Sequence, residues 1–78
     1  MNDLVKMSTL SPGERATVCE ISRSSDLRRR FFDVGLINNS EIECVCVSPM
    51  GDPKAYMIKG AIIAIRARDA CRVLVRRI

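Results

Sequence analysis

Four cysteines, Cys19, Cys44, Cys46 and Cys71, are the side chains best suited to chemistry here, because a thiolate serves both as nucleophile and as metal ligand. Their spacing favours neither use. No two are separated by two residues, and the chain has no histidine, so the common zinc arrangements are absent. Cys44 and Cys46 lie one residue apart in a run of strand formers, which in a regular strand puts both on one face. No activating neighbour can be identified for either thiol, and without imidazole the commonest general base is missing. The carboxylates are scattered along turns and strand ends. Cysteine as a small apolar side chain is the expected role, with no catalysis, no metal site and no cofactor.

One acid stands apart. Asp52 belongs to the segment SPMGDP at 48–53, where two prolines and a glycine stop the sheet. Its expected task is to accept backbone N–H groups within the turn and hold the loop in shape. Met50 is the odd member, since a large apolar side chain at a turn prefers to be covered. It reads either as a lid on one end of the fold or as the tip of a partner-binding surface.

These residues must be positioned by a small fold. The chain has 78 residues, enough for one domain, and only three aromatics (Phe31, Phe32, Tyr56), so its core is aliphatic. Net charge is +4, which permits an acidic partner, but the basic residues are dispersed apart from Arg28–Arg30 and Arg76–Arg77. A solvated helix face and a polar chain end account for those two runs. Scattered charge and few rings argue against nucleic acid. With no leader-like stretch and no long apolar span, a reduced, cytoplasmic setting is expected.

Residues 1–7 carry no periodic pattern and read as a loose, flexible lead-in to a single domain over 8–78. A Pro-Gly turn precedes a strand at 15–21, whose broken alternation between Val18 and Ile21 predicts a bulge. Residues 25–34 switch to helical spacing, with Leu27, Phe31 and Val34 on one stripe. Gly35 ends the helix in the left-handed conformation, with Leu36 packed back beneath it. After a turn at Asn38-Asn39 come strands at 41–47, 54–59 and 62–66, a helical turn at ARDA (67–70), and a last strand placing Cys71, Val73 and Val75 on one face. The expected fold is mainly β: a small barrel of about five short strands, with one short α-helix after the first strand and a helical turn before the last.

The motifs LSPGE (10–14), LRRRFFDVGL (27–36), SPMGDPKAYMIKG (48–60) and IIAIRARDACRVLV (62–75), in that order, resemble the FeoA family of bacterial ferrous iron transport. The resemblance covers nearly the whole chain and implies an SH3-like β-barrel. It departs from the family at Asn38-Asn39, where a Pro-Gly turn is usual, and at Phe31 and Phe32, where aliphatic residues are usual and a bulkier plug is expected. It implies a non-enzymatic accessory or regulatory protein that binds the cytoplasmic part of the FeoB transporter, and so reaches the inner face of the membrane through that partner. Leu36, Pro49, Met50, Gly51, Asp52 and Pro53 are the expected contact residues.

If Tyr56, Ile58, Ile63 and Ile65 point inward, alternation sends Met57, Ile62 and Ala64 outward. Met57 and Ile62 then form a docking patch near Met50, for the partner or for self-association, unless the helix or the lead-in covers them. Two other readings stand beside this one: a detached regulatory domain of an iron-dependent repressor, and a small basic nucleic-acid-binding barrel.

Overall fold

The computed structural model describes residues 4–22, 25–33 and 35–78, with the side chains of residues 25–27 outside that set. Strand β1 (Leu4–Lys6) leads through a 3₁₀ turn (Met7–Thr9) to β2 (Arg15–Ile21), helix α1 (Ser25–Asp33) and β3 (Glu41–Val47). Then follow β4 (Lys54–Ile58), β5 (Ala61–Ile65), the single helical turn α2 (Ala67–Ala70) and β6 (Val73–Arg77). All strands join one antiparallel sheet in the order β1-β6-β2-β3-β4-β5. The mainly β architecture and the helical turn before the last strand agree with the sequence, while α1 follows the second strand because Leu4–Lys6 adds a sixth strand ahead of the five expected.

Alternation explains why the sheet curls round one core. Along β2, Ala16 and Val18 face inward; along β3, Ile42 and Cys44; along β4, Tyr56 and Ile58; along β6, Val73 and Val75. Burying each of the larger aliphatic side chains contributes about 1.5–3 kcal/mol. The bulge expected in β2 lies between Val18 and Glu20, where the register to β6 shifts. Asn39 has φ 72°, the left-handed conformation that asparagine tolerates, so the Asn-Asn turn replaces Pro-Gly without strain.

Three expectations change. The lead-in is not loose from Leu4 on: Leu4–Lys6 pair with Leu74–Arg76 of β6, and Met7 is fully buried. A strand of three residues is too short to show a period, which is why the sequence hid it. Phe32 does not plug the barrel. Phe31 is buried while Phe32 is 69% exposed, because successive residues of a helix point about 100° apart. Leu27 and Val34 of the predicted stripe lie outside the described residues. Cys71 lies just beyond α2, its Sγ donating to the Arg68 carbonyl at 3.2 Å, and β6 begins only at Val73.

Candidate functional site

The β3–β4 loop is built from short internal bonds. The Gly51 N–H donates to the Ser48 carbonyl at 2.8 Å, closing a tight turn around Pro49 and Met50. Gly51 takes φ 85°, where a side chain would be strained. The Ser48 N–H reaches the Pro53 carbonyl at 3.1 Å, closing the loop at its base.

Asp52 does something other than the sequence suggested. Its Oδ1 accepts the N–H of Ala67 at 2.8 Å, across to the first residue of α2 rather than within the turn. The loop is therefore braced against the β5–α2 corner. A second brace stands at the loop's exit, where Lys54 Nζ donates to the carbonyls of Ser8 and Leu10 at 2.7 and 2.8 Å. Ahead of these fixed points, in the turn closed by Ser48 and Gly51, Met50 is 92% exposed. It is no lid: it is the apolar tip of an anchored loop.

The other predicted contact residues divide. Pro49 and Gly51 are exposed beside Met50, and Asp52 and Pro53 are half-buried at the base. Leu36 is fully buried and cannot be a contact. Gly35 at φ 91° turns the chain, the Leu36 N–H bonds the Phe31 carbonyl at 2.9 Å, and the side chain goes under the helix. Its capping role, read from the sequence, excludes it from the surface.

Met57 and Ile62 do face outward, directly paired across β4 and β5, with Ile62 62% exposed and Met57 half-buried. They flank the Ile58–Ala61 pair next to the Lys59-Gly60 turn, at the opposite end of β4 from Met50. The two apolar features are thus not one patch. A row of small residues, Cys46, Ala55 and Ala64, lies between them on the same outer face.

Cys46 joins that row through a second bulge. The register passes from Cys44↔Tyr56 to Cys46↔Ala55, so Val45 is an extra residue and the inside–outside alternation reverses. Cys44 is buried and Cys46 exposed, against the expectation that both share a face. Burial pushes the Cys44 thiol above its ordinary range, which makes it a poorer nucleophile. Among the described residues no group of three or more His, Cys, Asp or Glu side chains is placed to hold a metal ion, and no helix is long and apolar enough to cross a membrane.

The FeoA domain model matches residues 5–77. The chain belongs to the FeoA family. Similar solved structures include an FeoA-like protein from Clostridium acetobutylicum (27% identity, TM-score 0.91, 100% of this chain and 91% of that one). Iron(II) transport protein A from Clostridium thermocellum is 32% identical, with a TM-score of 0.90 over 95% of this chain and 46% of that one. The zinc-complexed FeoA of Stenotrophomonas maltophilia, a prokaryotic SH3 domain protein, matches at 24% identity and TM-score 0.77 over 96% of this chain and 88% of that one. That likeness gives the fold, an SH3-like barrel. No curated protein matches the chain.

Within this FeoA barrel, the brace from Asp52 to Ala67 is the feature that sequence reasoning missed. A signal existed. The helical turn at Ala67 begins after Arg66, which has no side-chain oxygen to cap it, so its first N–H needed an acceptor from elsewhere.

Proposed function

We propose that this FeoA chain is a non-enzymatic accessory of ferrous iron transport, docking through its β3–β4 loop on the cytosolic part of an FeoB-type membrane transporter. Family membership over residues 5–77 and the likeness to an iron(II) transport protein A support the transport half of this reading. Met50 carries the docking half. A methionine 92% exposed on a loop closed at its base by the Ser48–Pro53 bond and pinned on its exit side by Asp52 and Lys54 presents an adaptable apolar tip on a backbone that loses little freedom on binding. Pro49, Gly51, Asp52 and Pro53 set the shape of that tip. Regulation then acts through contact, with the barrel as a rigid bearing surface.

Hydrogen exchange of the chain with and without the transporter's cytosolic domain tests this. The expected result is slowed exchange at the amides of Met50, Gly51 and Asp52, and loss of the complex on Met50→Ser with the fold intact. A complex that leaves those amides unchanged, or no complex at all, overturns the reading.

A further inference from the structure

Among the described residues, strand β5 has one neighbour, β4, and lies at the open edge of the sheet. Hydrogen bonding fixes which of its backbone groups are free. Cys44 gives its N–H to the Glu14 carbonyl and accepts the Gly13 N–H, so both its groups point away from β4. Its pair with Tyr56 is thus a non-bonded one, and by alternation Tyr56 bonds Ile63 instead. Met57↔Ile62 and Ala55↔Ala64 are then non-bonded pairs, and the N–H and C=O of Ile62 and Ala64 point outward along the open edge. The two-residue turn with φ 53° at Lys59 and 83° at Gly60 requires the same phase.

Natural edge strands are usually blunted by charge, proline or a covering element. β5 reads AIIAI, with none of these within it. Alongside it runs a cavity of about 480 Å³ between the edge and the end of α1. Phe31, Ile63 and Ile65 supply apolar wall, and three arginines (Arg30, Arg66 and Arg68) line it against two aspartates, Asp33 and Asp69, which leaves one positive charge in excess. Arg30 is paired with Asp69 at 3.2 Å, whereas Arg66 and Arg68 make no ion pair among the described residues.

We infer that the β5 edge and this groove accept an extended, acidic peptide segment of a protein partner. The segment adds a strand through the free groups of Ile62 and Ala64. Its alternate aliphatic side chains enter the groove, and a carboxylate meets Arg66 and Arg68. A second copy of this chain fits less well. Antiparallel pairing of two β5 strands about Ile63 places Arg66 of each copy opposite Gly60 of the other, and residues 59–66 carry no carboxylate to meet it. No residue of the β3–β4 loop lines this groove, so the inference stands whether or not that loop binds a transporter.

The test uses the full chain and an acetylated peptide alternating valine with glutamate, with a valine–lysine peptide as control. Binding of the acidic peptide alone is expected, with slowed amide exchange at Ile62 and Ala64. Ala64→Pro removes an outward N–H and no bond to β4, so it should weaken binding by at least about tenfold while the β4 amides keep their protection. Arg66→Glu with Arg68→Glu should weaken it as much. Should Ala64→Pro unfold the chain, the Ile62 and Ala64 amides of the unaltered protein decide. Equal binding of both peptides, no slowing at those two amides, or slowing that rises with protein concentration in the absence of peptide overturns the inference.

Discussion

Both ends of β4 reverse the chain, and they do so at very different cost. At its exit Lys59 and Gly60 make the reversal alone, in left-handed conformations, and Ile58 pairs directly with Ala61. At its entry residues 48–53 take six positions for the same reversal, with an aspartate committed to α2 and a methionine held in water. A two-residue turn suffices to make a hairpin in this sheet. The extra length at the entry is therefore not needed for connection, and what it adds is an anchored apolar tip.

That contrast can be broken at several levels. The largest effect is expected where both reversals share a support. Tyr56 is fully buried midway along β4, so Tyr56→Ala should cost about 3–5 kcal/mol in a denaturant titration and loosen entry and exit together. Alkali attacks the same support. Burial pushes the Tyr56 phenol from its ordinary 10.0 up to about 12, so the folded chain holds a proton that the unfolded chain releases first. Stability is full below pH ~10 and falls by roughly 2–3 kcal/mol as the pH rises towards 12. Thermal melts against pH should show this decline reduced in Tyr56→Phe, with a part left that belongs to the buried Cys44 thiol, also raised by burial.

Smaller changes separate the two ends. Asp52→Ala removes the acceptor of the Ala67 N–H and should cost about 1–1.5 kcal/mol. Exchange at the Ala67 amide should quicken while the Lys59-Gly60 turn stays as it is. Equal loosening at both ends would show that the entry loop has no brace of its own. Smallest of all, Met50→Ser should change stability by less than about 0.5 kcal/mol, since the side chain touches little in the free protein. A larger loss would mean that Met50 supports the fold after all.

The sequence made the strands legible where apolar residues alternate with chemistry at their ends. The β2 and β3 bounds at 15–21 and 41–47 came out as read, and so did the facing of Tyr56, Ile58, Met57 and Ile62. Legibility failed where a partner distant in sequence decides the outcome. Leu4–Lys6 is a strand because β6 lies beside it, and Asp52 is a brace because Ala67 lacks an acceptor. Leu36 failed for another reason. The same pattern that marked it as a helix cap also placed it under the helix, and cap and surface contact exclude each other.

The bulge at Val45 carries one more consequence. Because the bulge takes up one residue at a single point, Cys46 and Val47 still meet Ala55 and Lys54, so a change of length in β3 can be absorbed without a slip of register. Removing Val45 alone should make the ladder regular and leave Cys46 outward opposite Ala55 and Val47 opposite Lys54. A barrel of this kind can therefore gain or lose a residue inside a strand while each of its faces keeps the same side chains.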